Sequence, residues 1–165
     1  MIQKEKPEHY QAVHEILLAC FKREAEGNLV NALRDNGKAV LSLVTLDDDE
    51  VIGHVMFTPV NTSPLSECKG LGLAPLAVKP QNQKQGIGAQ LVKEGLRLCH
   101  ELEYDYVVLL GNPKYYQRFG FTKASNFDMQ NEYGVDDAFM LIKLSNRNLH
   151  SGLIRYCPEF SLFSL

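Results

Sequence analysis

The sequence predicts a mixed α/β fold, with a strongly twisted central sheet of mixed polarity and helices on both of its faces. Two observations predict this class. The predicted elements follow the order β-α-α-β-β-β-α-β-α-β-β, and the early strands are placed to form antiparallel hairpins. Residues 73–110 then have the order strand, helix, strand, which is typical of a right-handed crossover between parallel strands. We therefore expect residues 73–78 and 106–110 to be parallel strands of one sheet.

The length and charge of the chain predict one domain that does not bind nucleic acid. A chain of 165 residues buries roughly 70% of its unfolded surface, so we expect a single domain over residues 1–165. The net charge is −3, and no run of four basic residues offers a surface for nucleic acid. No stretch approaches the roughly 18 apolar residues of a membrane span, and the first residues lack a signal-peptide core. We expect a cytoplasmic protein without a membrane partner.

The cysteines and histidines show no spacing typical of a metal site. The four cysteines are far apart, without a C-x-x-C pair, and are predicted to be free thiols in a reducing compartment. The five histidines form neither an H-x-x-x-H pair nor a mixed Cys/His pattern. We therefore expect no metal cofactor.

The first part of the chain predicts one strand and two helices. Ile2–Lys4 is predicted as a short strand, and Pro7 suits the first turn of the next helix. Apolar residues at helical spacing predict the buried face of that helix, namely Val13, Ile16, Leu17 and Cys20. A second helix is predicted over residues 24–34, with Asn36-Gly37 as its end.

Two strands are then predicted on either side of an acidic turn. They span residues 40–46 and 51–60 and flank Asp47-Asp48-Asp49-Glu50, so we expect a hairpin. The acidic residues could bind a cation, but they lack the spacing and the glycine of an EF-hand loop. A solvated hairpin tip is the favoured interpretation.

A long strand is predicted over residues 67–78, and Pro75 interrupts it. Proline cannot donate to a ladder, so we expect a bulge or a parting of neighbouring strands there. Strands that part would leave a slot of unpaired backbone groups for an extended ligand. A simple bulge in an edge strand is the alternative.

A glycine loop follows this strand and leads into a helix. From Gly86-Ile87-Gly88 onward, apolar residues recur at helical spacing: Ile87, Leu91, Val92, Leu96, Cys99 and Leu102. Such a helix offers free backbone N–H groups and the positive end of its dipole to a phosphate. An ordinary strand-to-helix connection is the alternative. Leu91 excludes the G-x-G-x-x-G fingerprint, and the Gly-Lys-Ser/Thr of a Walker loop is absent.

The loop sequence Gln83-Lys84-Gln85-Gly86-Ile87-Gly88 fits the pattern Q/R-x-x-G-x-G/A, five residues after a strand ending in Ala77-Val78. It resembles the acetyl-CoA loop of the GNAT superfamily of N-acetyltransferases. In that family the loop amides hold the CoA pyrophosphate, and the preceding strand pairs with the pantetheine arm. The resemblance implies that acetyl-CoA is bound by Leu76, Ala77, Val78, Gln83, Lys84, Gln85, Gly86, Ile87, Gly88 and Ala89.

The later elements surround a tyrosine-rich segment. Tyr106–Leu110 is predicted as a buried parallel strand, followed by Asn112 as the cap of a short helix over residues 114–119. Gly120 ends that helix, and Phe121 is placed to pack back on Tyr116. Further strands are predicted over residues 122–124 and 138–144, the second being the last strand. The tail after Ser145 is expected to be ordered, but its elements are not assigned.

The sequence Tyr115-Tyr116-Gln117-Arg118-Phe119-Gly120-Phe121 resembles the Y-x-x-x-G-F segment of the same superfamily. With Gly53-His54, Thr58-Pro59-Val60 and residues 136–140, it resembles a branch of predicted bacterial N-acetyltransferases. The resemblance implies acetyl transfer from acetyl-CoA to a primary amine of a small molecule or a peptide, with Tyr116 as general acid. It also implies that the connection between the first two helices lines the acceptor site. A non-catalytic acyl-CoA-binding regulatory module is the alternative, and a homodimer is compatible with both.

The chemistry of acetyl transfer suggests further roles. A backbone N–H at Ala77 or Val78 could stabilise the tetrahedral oxyanion. The hydroxyl of Tyr116, with an ordinary pKa of about 10, could protonate the departing thiolate; a tyrosine packed in the core is the alternative. His54 has a suitable pKa for the base that deprotonates the amine. The base is not assigned, because other candidates are Glu50, Glu67, Asp137 and relayed water.

Overall fold

The structure, a computed structural model, describes residues 1–162. Its strands are β1 (Ile2–Lys4), β2 (Leu41–Asp47), β3 (Glu50–Ser63), β4 (Gly70–Val78), β5 (Tyr106–Leu110), β6 (Thr122–Lys123), β7 (Met129–Asn131), β8 (Phe139–Lys143) and β9 (Gly152–Arg155). Its α-helices are α1 (Tyr10–Phe21), α2 (Ala25–Asp35), α3 (Ile87–Glu101), α4 (Pro113–Tyr116) and α5 (Glu159–Leu162). Short 3-10 helices span Pro7–His9, Pro80–Asn82, Gln117–Phe119 and Ala124–Phe127.

The described residues form two compact units. Unit 1 comprises residues 1–58 and 74–95 together with the described residues from Pro158 on. Unit 2 comprises residues 59–73 and 96–157. Strands β3 and β4 and helix α3 each contribute residues to both units. The single domain over residues 1–165 stays a prediction.

The sheet of unit 1 has the strand order β1-β2-β3-β4, and both β1–β2 and β2–β3 are antiparallel. Asp47 pairs with Glu50 at the tip of the β2–β3 hairpin. Asp48 and Asp49 form the turn with φ values of +47° and +68°, as a two-residue turn of the primed type requires. Glu50 forms an ion pair with Lys79. The acidic sequence is therefore the tip of a hairpin, as predicted.

Helix α3 approaches β3 closely in unit 1. A Cβ atom on Gly95 would lie 2.4 Å from the ring of Phe57, and one on Gly53 would lie 3.0 Å from the side chain of Leu91. Phe57 and Leu91 are both buried in the core of this unit. Small residues at these two positions therefore let the helix pack directly on the strand, which holds the start of α3 in place.

The sheet of unit 2 is of mixed polarity. Strand β4 pairs with β5 in parallel, β5 pairs with β8 antiparallel, and β8 pairs with β6 antiparallel. The β4–β5 ladder runs from Gly70 with Tyr106 to Gly72 with Val108, so it ends before Pro75. Strand β9 pairs antiparallel with β3 and parallel with β7. The predicted mixed α/β class, with a sheet of mixed polarity, is confirmed.

Several predicted bounds are wrong. The third strand continues to Ser63 rather than ending at Val60, because its last residues pair with β9. The predicted helix over 114–119 is divided into α4 and the 3-10 helix that follows it. The predicted strand over 122–124 ends at Lys123, because Ala124 begins a 3-10 helix. Strand β8 is not the last, since the tail contains β9 and then α5.

Candidate functional site

The first turn of α3 presents unpaired backbone donors. The amide of Gln90 donates to the carbonyl of Gly86 at 3.0 Å, which makes this the first bond of the helix. Helical geometry therefore leaves the N–H groups of Ile87, Gly88 and Ala89 without partners within the helix. These three donors and the helix dipole point to the same place, so the turn can bind an anion such as a diphosphate.

The loop before this turn relies on left-handed backbone conformations. Gly86 has a φ of +83° and Lys84 a φ of +64°. A Cβ atom on Gly86 would meet no atom of the protein within 4 Å, so the space beside it is open. Lys84, Gln85 and Gly86 are exposed. The loop therefore offers its backbone to a ligand without side chains in the way.

The end of β4 is held by three hydrogen bonds around one peptide group. The N–H of Lys79 donates to the carbonyl of Ile52 on β3 at 2.8 Å. The carbonyl of Val78 accepts a hydrogen bond from the side-chain amide of Gln83 at 3.0 Å and from the thiol of Cys20 at 3.1 Å. Burial raises the pKa of that thiol, so it remains protonated and able to donate.

The residues predicted to bind acetyl-CoA are thus brought together in unit 1, at the end of β4, in the loop and at the start of α3. They do not all present their side chains. Ala77 and Ile87 are buried, and Gln83 directs its amide to Val78. Any contact that these residues make with a cofactor therefore uses their main-chain atoms.

Tyr116 lies in unit 2, at the end of α4, where three features hold its ring. Asn112 caps α4 by accepting from the backbone N–H of Lys114 at 3.0 Å, as predicted. Gly120 adopts a φ of +101° and turns the chain so that Phe121 packs against Tyr116, with ring centroids 5.9 Å apart. A Cβ atom on Gly111 would lie 2.6 Å from the ring of Tyr116. The ring therefore rests against backbone on one side.

Burial of Tyr116 raises the pKa of its hydroxyl to about 12, with a smaller contribution from Tyr115. The neutral hydroxyl is consequently the stable form throughout the physiological pH range. Such a group can donate a proton or a hydrogen bond and does not act as a base at neutral pH.

His54 belongs to a buried polar network and is not exposed at all. The Ser42 hydroxyl donates to the carboxylate of Glu5 at 2.9 Å, and the Nε2 atom of His54 lies 2.9 Å from the same hydroxyl. A serine hydroxyl has one proton, so Nε2 must be the donor to Ser42. The guanidinium of Arg34 pairs with Glu5 and completes the network. Burial lowers the pKa of His54 to about 4, and the charge of Glu5 opposes this shift.

Two of the acidic candidates for the general base are paired with lysines. Glu50 bonds the ammonium of Lys79, and Asp137 lies 2.7 Å from the ammonium of Lys123. The ion pair with Lys123 lowers the pKa of Asp137. Within residues 1–162, no group of three or more His, Cys, Asp or Glu side chains is placed to hold a metal ion. Among the helices of the same residues, none is long and apolar enough to cross a membrane.

The sequence interpretation missed Cys20 as a residue of this site. Cys20 fits the apolar stripe of α1, and its contact with Val78 joins residues 58 positions apart. No spacing within the sequence indicates such a contact. The participation of Gln83 was predicted from the loop motif, but its contact with the carbonyl of Val78 was not.

A protein-family model described as acetyltransferase (GNAT) domain matches residues 1–124 of the chain. The uncharacterized N-acetyltransferase YhbS of Escherichia coli (strain K12) is 37% identical to this chain over 99% of both sequences.

Two solved structures are similar to this one over almost the whole chain. The GNAT family N-acetyltransferase YhbS from Escherichia coli, in complex with CoA, has a TM-score of 0.94 at 37% identity and covers 100% of this chain and 93% of its own. A GNAT family acetyltransferase from Brucella melitensis, in complex with acetyl-CoA, has a TM-score of 0.83 at 31% identity and covers 97% of each chain. Both matches agree with the fold predicted from the sequence.

Proposed function

Since the chain belongs to the GNAT family of acetyltransferases, we propose that it transfers the acetyl group of acetyl-CoA to a primary amine. The observation that carries this proposal is the open turn at the start of α3, with its unpaired N–H groups next to the end of β4. The complexes of the two similar proteins with CoA and with acetyl-CoA support the same cosubstrate here.

The pyrophosphate of CoA is proposed to bind the backbone N–H groups at the start of α3. Gly86 leaves open space next to these donors, and the exposed ammonium of Lys84 adds positive charge. The pantetheine arm is proposed to extend along the main chain of Leu76, Ala77 and Val78. No side chain is required for these contacts, so the affinity should depend on the backbone conformation of the loop.

Val78 is the better of the two candidates for oxyanion stabilisation. The N–H of Lys79 points to β3, and in an extended strand the N–H groups of successive residues point to opposite sides. The N–H of Val78 therefore points away from β3, whereas that of Ala77 points towards it. A donor that does not face β3 can meet the oxygen that becomes negative when the amine attacks the thioester carbonyl.

Tyr116 is proposed to protonate the leaving thiolate. The amine nitrogen forms a bond to the acetyl carbon, the carbon–sulfur bond breaks, and the sulfur takes the bonding electron pair together with the proton of the tyrosine hydroxyl. The tyrosinate then recovers a proton from solvent. The neutral state of this hydroxyl and its position in the Y-x-x-x-G-F motif support the assignment.

For the base, we propose relayed water in place of His54, Glu50 and Asp137, and Glu67 stays a candidate from the sequence. His54 is fully buried, so neither nitrogen of its ring can contact a substrate. Glu50 and Asp137 are paired with lysines. Loss of the ammonium proton to water requires no further side chain.

The direct test is a screen of amines in the presence of acetyl-CoA, with detection of the released CoA thiol. The proposal predicts release that depends on one class of amine and a mass increase of one acetyl group on that amine. Calorimetry with acetyl-CoA alone gives the second readout. Tight binding without turnover on any amine class would favour the non-catalytic acyl-CoA-binding module instead, and no binding would refute the cosubstrate.

A further inference from the structure

The carbonyl of Val78 is the last backbone acceptor of β4. Its direction follows from the peptide group that joins Val78 to Lys79. The C=O of Val78 and the N–H of Lys79 belong to the same planar trans peptide and so point in opposite directions. The N–H of Lys79 donates to Ile52 on β3. The carbonyl of Val78 therefore lies on the side of β4 that faces away from β3, which is also the side of the N–H of Val78.

Two side chains from different elements donate hydrogen bonds to this carbonyl. The thiol of Cys20, one residue before the end of α1, donates at 3.1 Å, and the amide of Gln83, in the loop, donates at 3.0 Å. The two donor atoms lie 4.0 Å from each other. Because a carbonyl oxygen has two lone pairs, these two bonds fill its acceptor capacity. One oxygen atom thus links α1, β4 and the loop.

We propose that Cys20 and Gln83 are positioning residues that fix the loop for acyl-CoA through the carbonyl of Val78. The inference rests on the proposed function, since the ligand is the proposed cosubstrate. The two hydrogen bonds hold the segment from Val78 to Gln83 in one conformation. The backbone after Gln83 then enters α3 so that the first N–H groups of the helix stay exposed. Because the Val78 carbonyl is already hydrogen-bonded, the arm of the ligand pairs with the main chain of Leu76, and the N–H of Val78 stays available for the oxyanion.

The two residues are well suited to a role in affinity rather than in folding. Gln83 is exposed and Cys20 is only partly buried. A neutral hydrogen bond contributes about 1 kcal/mol to folding, so the loss of either one should leave the protein folded. A loop that becomes mobile must instead be ordered when the ligand binds, and this cost appears in the ligand affinity.

The experiment compares four single variants of the full chain. Cys20→Ala and Gln83→Leu remove a donor, whereas Cys20→Ser keeps an O–H donor at the same position. Cys68→Ala is the matched control, because the thiol of Cys68 also donates to a backbone carbonyl, that of Asn148 at 3.6 Å, outside the cofactor site. Two quantities are measured: the Kd of acetyl-CoA by calorimetry, and the hydrogen exchange of residues 79–89 in the ligand-free protein.

We expect Cys20→Ala and Gln83→Leu each to raise the Kd of acetyl-CoA by about three- to tenfold and to accelerate exchange in the loop. Cys20→Ser should restore both quantities towards those of the wild type, and Cys68→Ala should change neither. Unchanged affinity and exchange in both Cys20→Ala and Gln83→Leu would overturn the inference. If the wild-type protein binds no acetyl-CoA, the proposed function is refuted, and so is the idea that Cys20 and Gln83 position this ligand. Faster hydrogen exchange in Cys20→Ala and Gln83→Leu would still show that the two residues hold the loop.

Discussion

The rings of Tyr116 and Phe121 meet edge to face, with centroids 5.9 Å apart and planes inclined by 76°. Gly120 makes this contact possible, because its φ of +101° reverses the chain between the two rings. Phe121 is buried and therefore gives Tyr116 a fixed support. The predicted packing of Phe121 on Tyr116 is confirmed.

Gly111 is also expected to control the position of the Tyr116 ring. A Cβ atom on residue 111 would lie 2.6 Å from the ring of Tyr116, so Gly111→Ala must displace that ring. Misplacing a catalytic group by about 1 Å can lower the rate by up to about 100-fold. We expect kcat to fall by about 10- to 100-fold while the Kd of acetyl-CoA changes little, as measured by steady-state kinetics and calorimetry.

The Tyr116→Phe background separates this effect from general damage. If Gly111→Ala acts through the hydroxyl of Tyr116, it should lower kcat much less in Tyr116→Phe than in the wild type. An equal loss in both backgrounds would show that Gly111 does not act through that hydroxyl.

Valine in place of Gly86 or Gly88 is expected to abolish the binding of acetyl-CoA. The side chain would fill the space next to the free N–H groups of α3, where the pyrophosphate is proposed to bind. Calorimetry should show a Kd raised by at least about 100-fold for each variant, which corresponds to the loss of roughly 3 kcal/mol of binding free energy.

Gly37→Val is the matched control for Gly86→Val. Gly37 has a φ of +69° and, like Gly86, no protein atom near its absent Cβ, so valine causes similar backbone strain outside the proposed site. Its affinity for acetyl-CoA should equal that of the wild type. Lys84→Asn removes the ammonium charge and keeps the left-handed backbone conformation, which asparagine tolerates, so it should weaken binding modestly. Undiminished affinity in both Gly86→Val and Gly88→Val would refute the loop assignment.

The buried His54 is expected to make the stability of the protein depend on pH. Its pKa is lowered to about 4 in the folded state, so the unfolded state binds the proton first as the pH falls below 6.5. The contribution of His54 to the free energy of unfolding is complete above pH 6.5 and is lost as the pH approaches 4. One pH unit of pKa difference corresponds to about 1.4 kcal/mol, so the free energy of unfolding should fall by roughly 3 kcal/mol over this range.

His54→Gln is the control for this titration, since its amide can still donate to Ser42 but does not titrate. Urea unfolding at several pH values should give a much flatter dependence between pH 4.5 and 6.5 for this variant. The lowered pKa values of Glu159 and Asp105 cause losses of stability that are centred below pH 4.5 and 3.8, and these losses are the same in the wild type and the variant. Equal slopes for the wild type and His54→Gln would contradict the burial of a neutral His54.

Ionisation of Tyr116 should cause no fall in kcat as the pH is raised to about 10. The pKa of its hydroxyl is raised to about 12, so the proton needed by the leaving thiolate is retained as the pH rises. The profiles of kcat for the wild type and Tyr116→Phe should therefore have the same shape between pH 7 and 10, at different heights. A limb in this range that disappears in Tyr116→Phe would place the pKa of the hydroxyl much lower.

The parts of the fold that were predicted correctly depend on neighbouring residues. The Asp48–Asp49 turn, the cap at Asn112 and the turn at Gly120 each follow from the backbone preferences of residues within a few positions. Helix α3 was predicted because its apolar stripe repeats over four turns. The order of strand, loop and helix that carries the proposed cofactor site follows from the same local signals.

The parts that were missed depend on contacts between distant segments. Strand β7 has three residues and β9 has four, which is too short for a clear alternation, and both are strands only because they pair with each other and β9 also with β3. The contact of Cys20 with Val78 and the network of Glu5, Ser42 and His54 likewise bring together remote positions. A single sequence records no such pairings, so it does not show that His54 is buried.

The most direct measurement is the turnover of Tyr116→Phe, which removes the hydroxyl and keeps the ring against Phe121. The control is Tyr115→Phe, whose ring packs on Tyr116 with centroids 4.9 Å apart and is retained in the variant. We predict that kcat falls by about 100-fold in Tyr116→Phe, with the Kd of acetyl-CoA nearly unchanged, and falls little in Tyr115→Phe. Equal kcat values for Tyr116→Phe and the wild type would contradict the general-acid role of Tyr116.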